Sequence, residues 1–250
     1  MKIFNKLTAL TLVLIMAFTC LASCGLFDSV ESYKATVKTS FTSNDAAMAD
    51  AIAALEKSEV TLYVYGDNIR AESSTKIDDI TLNKAYTVYG TIIYSDTTLT
   101  AEGRTVTEKE KASFATEQRD ALISKIGAGA SIDTDDFNTV KENKIDNINA
   151  YTCSYIKDDA KASLVSIFAE RMGAIDAQIS LTNAEYYVEK NKDKPVSCIL
   201  NTSFAIVLNG ATYNIDMAIE CDYDYDAKVE VKLPENASEY IVTSVDDIFG

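Results

Sequence analysis

Apolar and polar residues alternate along much of the chain. Tyr33, Ala35, Val37, Thr39 and Phe41 share one face, and Lys34, Thr36, Lys38 and Ser40 the other; a period of two with β-branched residues predicts a strand. Val60, Leu62 and Val64, a Gly66-Asp67 turn, then Ile69, Ala71 and Ser73 predict a hairpin with 64 facing 69 and 62 facing 71. Ala85 to Tyr94 reads as a strand, with Thr98 to Thr105 its partner across Ser95-Asp96-Thr97. Phe137 to Ile145 and Asn149 to Ile156 form a weaker pair. The clearest signal is Asn209-Gly210 between Val196–Leu208 and Ala211–Tyr223. A two-residue loop there sets Leu208 against Ala211, Ile206 against Tyr213, Phe204 against Ile215, Thr202 against Met217, Leu200 against Ile219 and Cys198 against Cys221. One face of that hairpin is almost wholly apolar, and a one-residue slip would turn every side chain over. Tyr186 to Lys190 adds a strand before it and Ala227 to Leu233 one after.

Three stretches carry the helical period instead. Ala46 to Lys57 follows Asn44-Asp45, with Met48, Ile52 and Leu55 on one side. Thr107 to Ile126 has early acids (Glu108, Glu110), an apolar side of Phe114, Leu122, Ile123 and Ile126, and Gly127 as a stop. A third helix starts at Asp158-Asp159 and repeats Leu164, Ile167, Phe168 and Ile175. About eleven strands with hairpin connections and about three helices predict an α+β fold: a curved antiparallel sheet, or half-barrel, with the helices packed on one side.

The N-terminus has a different character. Lys2 and Lys6 precede an apolar run from Leu7 to Phe18, no charge occurs from Leu7 to Phe27, and Leu21-Ala22-Ser23-Cys24 ends the stretch. A basic start, a run of this length and small residues before a cut are the parts of a secretory signal. With a cysteine at the first mature position, the stretch resembles the lipobox of bacterial lipoprotein signal peptides. The run is short and threonine-interrupted for a membrane-spanning helix. The resemblance implies cleavage after Ser23, acylation of Cys24, and stable anchoring, since more than one chain is then attached. The expected organisation is a removed signal over 1–23, a short lipid-anchored tether over 24–32, and one antiparallel domain over 33–250. The expected address is the extracytoplasmic side of the cell membrane.

Charge narrows the partners. The chain holds 23 Lys+Arg and 38 Asp+Glu, a net charge of −15, and removing residues 1–23 with their two lysines takes it to −17. Such acidity excludes a nucleic-acid footprint and disfavours lying on anionic lipid through charge. There is no histidine, which removes the commonest general base and metal ligand. No Gly-x-Ser-x-Gly, credibly placed Ser-x-x-Lys or phosphate-cradling glycine loop is present. Asp222, Asp224 and Asp226 suggest a calcium loop, but Ala227 and Leu233 stand where an EF-hand needs glycine and glutamate, so the alternation reads as a solvated strand face. The expectation is a non-enzyme with no metal and no cofactor.

Cys198 and Cys221 face each other in the predicted register. Either a disulfide, which an extracytoplasmic compartment permits, or two buried thiols satisfies that position. Phe204, Ile206, Tyr213, Ile215 and Met217 on the apolar hairpin face are candidates to line a ligand site. The strand–helix order, Tyr187-Val188-Glu189-Lys190 leading to Pro195-Val196, and Val231-Lys232-Leu233-Pro234 before an extended tail are similar to the half-barrel of outer-membrane lipoprotein carriers and receptors (LolA/LolB-like) and of mycobacterial lipid-binding lipoproteins (LppX/LprG-like). Short lipoproteins of Gram-positive bacteria look equally similar. The resemblance implies a lipid or acyl-chain ligand. The alternative is an interaction or structural surface lipoprotein with a filled core.

Overall fold

The computed structural model describes residues 32–45, 55–77, 79–118, 132–145, 148–172, 177–192, 194–208 and 210–249. Among them twelve strands form one open, sheet-dominated α+β architecture. A first meander runs through β1 (Tyr33–Ser43), β2 (Leu55–Tyr65), β3 (Asn68–Ile77), β4 (Ile80–Tyr89), β5 (Ile92–Ala101) and β6 (Arg104–Ser113). A second runs through β7 (Phe137–Ile145), β8 (Ile148–Ile156), β9 (Ala177–Asn191), β10 (Lys194–Leu208) and β11 (Ala211–Asp224). Helix α1 (Asp158–Met172) lies between β8 and β9 in the chain and packs on β9. The two-residue β12 (Ile241–Val242) adds in parallel to β6, and the short α2 (Val245–Phe249) packs against that same strand. The sheet order is β12-β6-β5-β4-β3-β2-β1-β11-β10-β9-β8-β7. The seam is β1 against β11, antiparallel from Lys34↔Asp224 to Ser43↔Ile215, which closes one core across both meanders.

The two hairpins predicted around tight turns form with the predicted partners. Val64 meets Ile69 and Leu62 meets Ala71, and the β10–β11 ladder runs from Ser197↔Asp222 through Cys198↔Cys221 to Leu208↔Ala211. The β7–β8 pair and the start of α1 also lie where the patterning puts them, with Asp158 and Asp159 in the first turn, where the helix dipole favours acids.

Elsewhere the boundaries differ. The run 85–94 is not one strand: Gly90, at φ 61°, opens a turn with Thr91 that separates β4 from β5. The next turn is at Glu102-Gly103, both left-handed (φ 50° and 73°), rather than at 95–97. Residues 104–113 are β6 instead of the start of a helix. Their Glu108, Lys109, Glu110, Lys111 series alternates, so the acids take one face and the lysines the other. The Thr98–Thr107 and Thr100–Thr105 hydroxyls meet across the β5–β6 ladder at 3.3 and 3.1 Å. The later part of that expected helix is a 3-10 turn at Thr116–Gln118, and 119–131 lie outside the described residues. The same holds for 46–54 of the first expected helix, whose end, Leu55–Lys57, is instead the start of β2. Two helices rather than three are present among the described residues.

β9 is much longer than its predicted core of 186–190. Its register on β10 jumps between Asn183↔Ser203 and Leu181↔Phe204, so Thr182 is an extra, bulged residue. Ala184, Tyr186 and Val188 then share a face with Leu181 and Ile179, and the change of parity hides the strand from a period-two reading. Residues 227–233 form no strand. Val229 and Val231 are buried between exposed Lys228, Glu230 and Lys232, but β1 and β10 already occupy both edges of β11, so the extended segment finds no ladder to join.

Candidate functional site

Following the registers across the sheet assigns each residue to the core face or the outer face. The core face of the β9–β11 and β1 region holds Tyr186, Val188, Cys198, Leu200, Phe204, Ile206, Ile215, Met217, Ile219, Cys221, Ala35, Val37 and Phe41, all buried. The five candidate lining residues fall here. Phe204 pairs with Ile215 and Ile206 with Tyr213, while Met217 pairs with Thr202, so the structure does bring them together. Phe204, Ile206, Ile215 and Met217 are only 1–3 % exposed, and Tyr213 is half-buried against the same cluster. Cys198 and Cys221 are directly opposed and buried, as thiols. Cys153 is buried too; burial first, then the charge of Asp133, pushes its thiol up to about 11, which makes it inert. Cys24 lies outside the described residues.

The core face changes character on β3–β6. Four rows cross these strands, each about 7 Å from the next along the strand direction. The first, Ile69–Val88–Ile93–Ala112, is apolar and closed, with Val88 and Ile93 at 0 % exposure. The second is Ala71–Tyr86–Ser95–Glu110 and the third Ser73–Lys84–Thr97–Glu108. The fourth, Thr75–Leu82–Leu99–Val106, is apolar again but opens progressively, with Leu99 41 % and Val106 66 % exposed; Ile80 on β4 extends it. This face therefore runs from a sealed apolar end, through a polar step, to an open apolar collar beside the connection from β3 to β4 and the turn at 102–103. The described chain starts at the opposite end, since Tyr33 pairs with Val64 beside the Gly66 turn.

The polar step holds one cation and two carboxylates. The Lys84 ammonium lies 4.9 Å from the Tyr86 ring centroid, a cation–π arrangement. Its loss of water holds the lysine below its usual value, against the opposing pull of Glu110 and then Glu108. Ser73 Oγ donates to the Lys84 carbonyl at 3.3 Å. Thr75, 2 % exposed at the inner end of the collar, has a hydroxyl with no hydrogen-bond partner among the described residues. A buried polar group in that state costs about 1–3 kcal/mol. Sequence reasoning did not single out Lys84, Glu108, Glu110 or Thr75. The available signal was the alternation of acid and base over 108–111, which puts both acids on one side of a strand.

Other polar clusters have structural work. Asp133 accepts from the Thr134 backbone N–H at 2.6 Å and pairs with Lys190 at 3.2 Å, while Asp136 accepts from the Asp133 N–H, a reciprocal cap on the 3-10 turn Thr134–Asp136. Asp224 accepts from the N–H groups of Asp226 and Ala227 at 3.0 Å each, which turns the chain out of β11. On the outer face, Tyr240 is buried edge-on against Tyr94 with centroids 5.2 Å apart; its hydroxyl donates to the Asp96 carboxylate, 2.6 Å from Oδ2 and 2.7 Å from Oδ1. Among the described residues no group of three or more Cys, Asp or Glu is placed to hold a metal, and no helix is long and apolar enough to cross a membrane.

No family model matches the chain, and no curated protein matches it. Among solved structures, the YwiB protein of Bacillus subtilis aligns over 77% of this chain and 91% of its own, at 8% identity and a TM-score of 0.20. The CurK dehydratase, solved as an inactive mutant, aligns over 81% of this chain and 80% of its own, at 7% identity and a TM-score of 0.14. At these scores neither likeness carries a functional conclusion.

Proposed function

We propose that this chain is an extracytoplasmic lipoprotein, anchored through Cys24, whose sheet is a half-barrel that takes an apolar ligand such as a lipid or acyl chain at the open end of its core face. The reading rests on one observation: the collar of Ile80, Leu82, Leu99 and Val106 lies on the face that elsewhere forms the hydrophobic core, yet much of it meets water. Apolar surface left open next to a polar step is the usual make-up of a small-molecule site, mostly apolar with a few placed polar groups. Tyr33, the start of β1, pairs with Val64 at the other end of the strands, so an anchor preceding it would enter away from the collar.

Two measurements test it. Radioactive palmitate should enter the wild-type chain but not Cys24→Ser; equal labelling of both would remove the anchor. The purified protein should bind a fluorescent fatty-acid probe, and Leu99→Glu should weaken that binding at least about tenfold, because a carboxylate would then sit among the chain's carbons. The near-complete burial of Phe204, Ile206, Ile215 and Met217 favours a second reading, in which the core is filled and the domain serves as a non-enzymatic interaction or structural module. A chain that is labelled by palmitate but binds no probe would establish that reading instead.

A further inference from the structure

We infer that the tips of the Gly66 and Gly90 turns form a membrane-contact surface, with Tyr65 and Tyr89 resting in the headgroup zone of the bilayer. The inference rests on the anchor reading above and assigns to that bilayer an end of the sheet distinct from the apolar collar.

The first argument is position. The β2–β3 and β4–β5 turns lie at the end of the strands where Tyr33 opens β1. Nine residues, 24–32, lead from Cys24 to Tyr33. At no more than about 3.3–3.6 Å per residue, they keep this end within roughly 30 Å of an acyl group on Cys24. The collar lies farther off: Leu99 is seven residues along β5 from Ile92, about 23 Å.

The second argument is the surface itself. Val64, Ile69, Val88 and Ile93 face the core, so their neighbours Tyr65, Asn68, Tyr89 and Ile92 form one row on the outer face. The two tyrosines stand two inter-strand spacings apart, about 10 Å, and are 48 % and 40 % exposed. A single exposed aromatic is ordinary on a protein surface; here two share a row at the tips of neighbouring hairpins. The Gly90 N–H donates to Asn68 Oδ1 at 3.2 Å, which ties the second turn to the first. A Cβ built on Gly66 or Gly90 meets nothing within 4 Å, so both tips stand clear of the rest of the described protein. Asp67 carries the one charge in 65–68 and 89–92, whereas the whole chain has a net charge of −15. This edge therefore approaches lipid headgroups with little of the repulsion that acids elsewhere would meet. A phenol is apolar on its ring and polar at its hydroxyl, which suits the boundary between acyl chains and water. Two rings at that boundary hold the strands upright on the membrane and keep the collar toward the medium.

The test is lactoperoxidase-catalysed iodination of the intact acylated protein on phosphatidylcholine vesicles, with each tyrosine read by mass spectrometry. Tyr155, 74 % exposed and on β8 beyond the Ser154↔Glu185 pair, away from these turns, is the internal standard. Exposure alone puts Tyr65 and Tyr89 within about twofold of it; membrane contact should lower both severalfold further. If both are iodinated in proportion to exposure while the protein stays on the vesicles, the contact is overturned and the anchor stands. A chain that takes up no palmitate and does not bind the vesicles removes anchor and contact together. Protection that appears only at high protein density on the vesicles would assign the tips to a second copy and overturn the contact. The chain has no tryptophan, so Tyr65→Trp and Tyr89→Trp each place a lone reporter at a tip. Lipids brominated on the acyl chain should quench both and spare Val106→Trp at the collar. No quenching at the tips, or equal quenching at all three positions, overturns the proposal.

Discussion

Replacing Tyr240 by phenylalanine removes one oxygen and little else. The ring keeps its edge-on contact with Tyr94 and stays beneath Lys109, whose Nζ lies 5.5 Å from the centroid. What is lost is a hydrogen bond to a carboxylate from a buried phenol, a class worth about 1.5–3 kcal/mol. Asp96 is only half-buried, so water partly replaces the donor, and the expected loss is about 1.5 kcal/mol, at the lower end of that range. For a domain of this size that corresponds to a fall in Tm of about 3–6 °C. Urea unfolding of both proteins at pH 7, with unchanged slopes, gives the loss directly. The pH dependence supplies a second arm. Burial, then the Asp96 acceptor, hold the Tyr240 phenol above its ordinary value near 10. The neutral form is therefore favoured by folding, and its contribution is complete below about pH 10 and lost as pH rises beyond. The stability gap between wild type and Tyr240→Phe should accordingly be constant from pH 7 to about 10 and shrink above it. A gap under about 0.5 kcal/mol at pH 7, or one that persists undiminished above pH 10, would refute the view that this hydroxyl pins the C-terminal segment to the outer face.

Gly103→Ala should cost about 1 kcal/mol in the same assay although a Cβ there meets nothing within 4 Å, because φ 73° is the strained region for any L side chain; a neutral result would show that the turn relaxes freely. Asp133→Ala should cost about 1 kcal/mol at neutral pH through loss of its cap. Burial raises the Asp133 carboxyl, but the Thr134 N–H and Lys190 outweigh it and hold the folded-state value low, so its contribution is present above about pH 4 and lost as pH falls through that lower value; wild type and variant should converge in acid, and parallel curves would refute the assignment. Leu200→Ala, deep in the β10–β11 core at 2 % exposure, should cost about 2–5 kcal/mol in urea unfolding, and a loss below about 1 kcal/mol would show that this part of the face is not packed.

Local order was legible in the chain wherever pairing partners lie close along it. The Gly66-Asp67 and Asn209-Gly210 sequences each sit between two alternating strands that pair in the register such short connections imply, and closing so short a loop costs little, so turn chemistry and alternation together specify register. Reading failed where two periods compete or one is broken. The Glu108-to-Lys111 alternation sits within a stretch that also carries helical spacing, Tyr89 and Ile92 mask the Gly90 turn, and Thr182 shifts β9 by one residue in mid-strand. The candidate site was half legible. Alternation identifies the apolar face of β10 and β11, but which part of the core face is sealed and which is open follows from what lies opposite each side chain. That depends on β1 pairing with β11 across most of the chain's length and on the placement of β3–β6, and no strand encodes either alone. Alternation decides which side of a strand is apolar; only the assembled sheet decides how much water reaches it, which is why Leu99 and Ile93, two alike residues on one face of one strand, end up exposed and sealed.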